Sequence, residues 1–133
     1  MRTLVRETPS RPPEGESVRE AVKGLFRSIL GETGTSVFEF NLTRILGRDP
    51  FEVFYEDPPL FYEGLRKMFT AGADAIMKLI GNVLINGSGL TSITVEEFLD
   101  FMRRGDPEAK AKLREMILEF DRRKSGSEVL EGV

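Results

Sequence analysis

The chain has 133 residues, 40% of them hydrophobic and 31% charged, with a formal net charge of −3. That length suits one domain with its own core, and the acidic balance argues against general affinity for nucleic acid or an anionic membrane, both of which need a basic face. The chain has no cysteine and no histidine, which excludes disulfides, thiol nucleophiles, thiolate or imidazole metal sites, Ser-His-Asp catalysis and histidine phosphotransfer.

Tryptophan and glutamine are also missing, and the only asparagines are Asn41, Asn82 and Asn86. Few thermolabile residues beside abundant Glu, Lys and Arg point to a thermophilic source. No apolar run approaches the roughly 18 residues needed to span a bilayer. The opening MRTLVRETPSRPPEGE has no apolar core like that of a secretory signal, so the expected location is cytoplasmic.

Residues 1–14 carry Pro9, Pro12 and Pro13 without helical period and read as an extended or disordered arm. Ser17 and Glu20 have capping-box spacing, and Val22, Leu25, Phe26, Ile29 and Leu30 follow at helical intervals up to Gly31, a natural stop. In SVFEFNLTRIL (36–46), Val37, Phe38, Phe40 and Leu42 partly alternate as in a strand. Phe38, Leu42, Ile45 and Leu46 fit a helix, and helix is favoured because helices flank the segment. Asp49-Pro50 and Asp57-Pro58 each supply a cap and a first-turn proline, opening a short helix to Tyr55 and a longer one with Leu60, Phe61, Leu65, Met68 and Phe69 on one stripe.

AIMKLIGNVLI places Ile76, Leu79, Ile80, Val83 and Leu84 together and reads as the central, most buried helix. NGSGLTS reads as a loop in which Gly87 and Gly89 are free to adopt positive φ. Thr94 and Glu97 form a second capping box before Val95, Phe98, Leu99 and Met102, and Gly105 ends that helix. Asp106-Pro107 opens a last helix to about Lys124 with Leu113, Met116, Ile117 and Phe120 inward, leaving 125–133 as a flexible tail. The sum over 15–124 is an all-α domain, a compact bundle of about six helices.

FYEDPPLFYEG (54–64) is the stretch that most resembles a site. Phe54 and Phe61 belong to the core, whereas Tyr55 and Tyr62, able to lie at a surface with the hydroxyl wet, are candidates for a partner surface with Phe38 and Phe40. The acids Glu52, Glu56, Asp57 and Glu63 suit capping and dipole roles better than a magnesium or calcium site, and Glu96 with Asp100 suits a solvated face. NGSGLTS lacks the lysine and spacing of a phosphate loop. Arg103-Arg104 and Arg122-Arg123-Lys124 sit where the helix dipole favours cations, diluted by neighbouring acids.

GESVREAVKGLF and DPPLFYEGLRKMFTAGADAIMKLIGNVLI together resemble small archaeal all-helical domains of the Nitrosopumilus output-domain group, over roughly residues 14 to 85. The shared features are a helix opening Glu-Ser-Val, an Asp-Pro before an aromatic, a Gly-Leu-x-x-x-Phe run and an Ala-Gly-Ala-Asp turn into a long apolar helix. This chain has Phe69-Thr70 where the group more usually has Phe-Gly. The resemblance implies an accessory output or interaction domain acting beside sensory modules, and it brings no catalytic residues.

The expected function is therefore a non-enzymatic interaction or regulatory domain, a homo-oligomer or one with a protein partner, using Phe38, Phe40, Tyr55 and Tyr62. No catalytic residue, cofactor, metal, nucleic acid or membrane enters that expectation. The alternative is a sensor for a small apolar ligand, held between helix 73–85 and its neighbours with Met68, Met77, Met102 and Met116 in the lining. An enzyme working through carboxylates such as Glu56 or Glu63 is the third reading.

Overall fold

The computed structural model describes residues 14–131, with side chains over 17–124; the expected N-terminal arm lies outside the described residues, save for Glu14. Six helices and no strand form among them: α1 (Glu14–Leu46), α2 (Pro50–Glu56), α3 (Pro58–Met68), α4 (Ala73–Ser88), α5 (Val95–Arg104) and α6 (Pro107–Glu131). The all-α bundle expected from the periodicity is the architecture observed.

α1 is two helices in one. Gly31 breaks it with φ 79° and ψ 175°, a left-sided conformation open to glycine at no steric cost. The second half folds back along the first, so that Glu39 reaches Arg19 at 3.8 Å and Lys23 at 3.6 Å. The ambiguous segment 36–46 is thus helical, and its Phe38 and Leu42 point inward, as does Thr35 just before it. Phe38 stacks on Phe26 across the fold, with ring centroids 5.0 Å apart.

Around Phe26 gather Phe51 at 5.7 Å, Phe54 at 5.9 Å and Phe61 at 6.0 Å, and Phe54 meets Phe61 edge-on at 5.0 Å. Five phenylalanines thereby join both halves of α1 to α2 and α3. Burying each ring is worth about 1.5–3 kcal/mol, with about 0.5–1.5 kcal/mol more for each well-oriented pair. Opposite this cluster, Met77, Ile80 and Leu84 of α4 meet Phe98 and Met102 of α5 and Leu113, Met116 and Ile117 of α6 in one continuous core.

Capping follows local chemistry at most ends. The Asp49 carboxylate accepts from the Phe51 N–H at 2.9 Å and is also held by Arg19. Asp106 accepts from the Ala109 N–H at 2.8 Å. Thr94 and Glu97 exchange both bonds of a capping box, at 2.9 and 3.1 Å.

Four expectations are corrected. α1 starts at Glu14, three residues before Ser17, and Glu20 pairs with Arg19. The Asp57 side chain caps nothing, because α2 and α3 abut there; its N–H closes α2 on Val53 and its carbonyl accepts from Phe61. α4 runs on through Gly87 to Ser88, and only Gly89 takes positive φ (77°). Finally, 125–131 of the expected tail continues α6, since no proline follows Lys124 and Gly126 with two serines only weakens a helix.

Candidate functional site

The second half of α1 carries two apolar stripes. Phe38, Leu42 and Leu46, with Thr35, face the bundle, where Leu42 and Leu46 lie against Gly64 of α3. On the other side Val37 is 55% and Phe40 63% exposed, while Ile45, on the Phe38 side of the helix, is 37% exposed. The Arg44 guanidinium lies 5.7 Å from the Phe40 ring centroid.

α4 shows the same excess. Met77, Ile80, Gly81, Leu84, Ile85 and Ser88 are buried, but Leu79 is half exposed, and Ile76 and Val83 are only partly covered. Its apolar arc is wider than one bundle interface can use. The five residues grouped on one inward face therefore divide between two sectors, which corrects the view of α4 as the most enclosed helix.

Where the elbow of α1 approaches that outer sector, the surface sinks into an apolar cavity of about 190 Å³. Phe26, Ile29, Leu30 and Phe38 line it from α1, Ile76, Leu79 and Ile80 from α4, and Phe69 from the end of α3. Leu30 and Leu79 are exposed at its mouth. Beside it lies a wide-open recess of about 550 Å³ formed by Asn41, Arg44, Ile45, Met68 and Phe69. Phe69 is common to both.

Of the four residues expected at a partner surface, only Phe40 is exposed. Phe38 is buried in the phenylalanine cluster and lines the cavity from inside. Tyr55 and Tyr62 are 2% and 1% exposed. Tyr62 lies on the inward stripe of α3 with Pro58, Phe61 and Leu65, at helical spacings of three and four, so its position decides its burial. Tyr55 belongs to the seven-residue α2, which α1, α3 and α6 enclose, and Arg114 of α6 lies 5.4 Å from its ring.

The Tyr62 hydroxyl donates to the Asp74 carboxylate, while the Arg66 and Arg103 guanidinium carbons stand 4.1 and 5.7 Å from its ring centroid. Burial, then the bond to Asp74, pushes the Tyr62 hydroxyl pKa up; the same bond holds the Asp74 carboxyl below its usual range. This network ties α3, α4 and α5 together; its Tyr62 is buried, whereas Arg66, Asp74 and Arg103 stand at the surface.

The methionines fill the core instead of lining the cavity: Met77, Met102 and Met116 are fully buried, and Met68 packs against the core and lines the open recess. Glu119 neutralises Arg122 and Arg123, and Asp100, Asp106 and Glu108 surround Arg104. Among the described residues no cluster of three or more acidic groups is placed to hold a metal ion, and no helix is long and apolar enough to cross a membrane.

Sequence reasoning missed Leu30, Arg44, Ile45, Phe69 and Leu79 as site residues. The available signal was the breadth of the apolar arcs on α1 and α4. What the fold and surface define is an all-α bundle with an uncovered apolar face. Comparison with protein-family models, with curated proteins and with solved structures returned no match to this chain.

Proposed function

We propose that this chain is a non-enzymatic helical interaction domain that self-associates through the face formed by the second half of α1 and the outer sector of α4. The observation that carries the reading is the set of exposed large apolar residues Leu30, Val37, Phe40, Ile45 and Leu79, of which Leu30 and Leu79 line the cavity and Ile45 the recess beside it. Large contiguous apolar surface on a soluble domain marks a place where something docks. Two-fold homo-oligomers, the commonest kind, bury the same patch of both copies against each other, so one such face per chain suffices for a dimer. An output or interaction role beside sensory modules, as the family resemblance implies, is compatible with such a face.

Sedimentation or native mass measurements across the micromolar range test this. The expected result is a concentration-dependent dimer that Phe40→Ala weakens about thirtyfold or more, the effect of losing an aromatic hot spot worth about 2 kcal/mol. A wild-type monomer throughout that range overturns it.

The apolar cavity favours a second reading, a sensor for a small apolar ligand. Its volume of about 190 Å³ exceeds the roughly 150 Å³ of an engineered hydrocarbon-lined cavity that stays dry and binds benzene.

A further inference from the structure

The cavity and the recess beside it form one amphipathic path. The inner end is hydrocarbon on every side, from Phe26, Phe38, Phe69, Leu79 and Ile80 among others. A polar or charged group placed there would lose its water and find no hydrogen-bond partner, so only an apolar group fits. Past Phe69 the lining changes to Asn41 and Arg44. Phe38, Asn41 and Ile45 succeed one another at spacings of three and four on the same helix, so the two ends are joined along one side of α1. Phe38 and Arg44 are six residues apart, about 9 Å along the axis at 1.5 Å per residue.

Arg44 is available for an anion. No carboxylate lies within ion-pair distance of it among the described residues, and its guanidinium lies over the Phe40 ring. Arginines and lysines elsewhere on α1 do have acidic partners: Arg19 and Lys23 share Glu39, and Arg27 lies 3.8 Å from Glu32. The Asn41 amide already donates to the Val37 carbonyl at 3.0 Å, leaving its carbonyl oxygen and second N–H at the rim.

We infer that the site takes a free medium-chain carboxylic acid, its alkyl tail in the cavity between the α1 elbow and α4 and its carboxylate at Arg44. This rests on the ligand-binding reading of the cavity and adds the chemistry of the ligand. The tail supplies most of the affinity because its burial removes hydrocarbon from water. The carboxylate sets orientation and contributes little, as an ion pair at an exposed guanidinium does.

The test is calorimetric titration of the full chain with butyrate, hexanoate and octanoate below their micellisation range, and with 1-octanol. Tail burial predicts about fourfold tighter binding per added methylene, the equivalent of about 0.8 kcal/mol each. Octanoate should bind a few-fold tighter than 1-octanol, and Arg44→Gln should erase that difference while leaving 1-octanol unchanged. Leu79→Asp, at a half-exposed position that should tolerate it, should abolish binding of both. Equal binding of octanoate and 1-octanol to the wild-type chain overturns the carboxylate assignment and leaves the apolar pocket standing. Binding that ignores chain length, or survives Leu79→Asp, overturns both.

Discussion

Alanine in place of Gly81 and alanine in place of Gly24 are the same chemical change on two helices, and the structure gives them opposite signs. A methyl group on Gly81 would stand 2.5 Å from Cδ2 of Phe98, 3.0 Å from its Cε2 and 3.1 Å from its Cγ. Phe98 is fully buried, so its ring has no free space into which to withdraw. Overpacking of this kind costs about 1–3 kcal/mol, against about 1 kcal/mol gained from replacing glycine inside a helix. The net expectation is a loss of about 1 kcal/mol. At Gly24, mid-way along the first half of α1, nothing lies within 4 Å of the added methyl, so the propensity gain of about 1 kcal/mol stands unopposed.

The two variants should therefore differ by about 2 kcal/mol, or about 6–10 °C in Tm at this chain length. Urea unfolding followed by helical circular dichroism measures this, provided the denaturant slopes agree. If Gly81→Ala equals or exceeds the wild type while Gly24→Ala behaves as expected, α4 does not approach Phe98 as described. The packing of α4 on α5 would then be wrong.

Adjacent positions on α4 supply a second contrast. Ile80→Ala should cost about 2–5 kcal/mol because Ile80 is buried, whereas Leu79→Ala at a half-exposed site should cost under about 1 kcal/mol; similar losses in chemical unfolding would remove the outer sector. Thr35 is 2% exposed with no partner for its hydroxyl, so Thr35→Val should raise stability by about 1 kcal/mol in the same assay. A loss there would mean that the hydroxyl is bonded. Tyr62 and Asp74 set a pH dependence with two limbs. The depressed Asp74 pKa adds stability above the unfolded carboxyl value, about 3.9, and that contribution is lost as pH falls through the lower folded value. The raised Tyr62 pKa adds stability below about 10, lost as pH rises through the higher folded value. Tyr62→Phe should flatten the acid limb of Tm against pH and remove this alkaline loss; an unchanged acid limb would count against the bond.

Helix starts were legible because a cap is a local event. Asp49-Pro50, Thr94 with Glu97 and Asp106-Pro107 need only their own next few residues to satisfy free N–H groups, and all three do so. Asp57 has the same signature, but a helix ends against it, which only the packing of α2 on α3 reveals. Gly87 read as a turn glycine because nothing nearby in sequence shows that the Phe120 ring will pass 2.3 Å from where its Cβ would be. The tyrosines failed for a related reason. Tyr62 can be buried because Asp74, twelve residues on, receives its hydroxyl, and that partner is fixed by how α3 meets α4. A stripe tells which residues share a side of a helix, and not how many sides will find a neighbour.

That last distinction explains why the candidate site lies where it does. Gly31 turns α1 back on itself, and the inner stripe of its second half is consumed by the phenylalanine cluster and by Gly64 of α3. α4 gives its best-covered sector to α5 and α6, where Met77, Ile80, Gly81 and Leu84 are enclosed. Both helices are more apolar than those contacts require, and part of the surplus, Leu30 of α1 and Leu79 of α4, meets at the cavity by the α1 elbow. Had the extra residues only been filling a core, repacking to cover them would have been favourable by about 25 cal/mol for each Å² of hydrocarbon removed from water. An arrangement that leaves Phe40 and Leu79 in solvent and a hydrocarbon-lined cavity between the helices forgoes that gain. On the two proposed readings, a second copy on the outer face or an alkyl chain in the cavity would recover it. The two can be separated because Phe40 does not line the cavity, whereas Leu79 does.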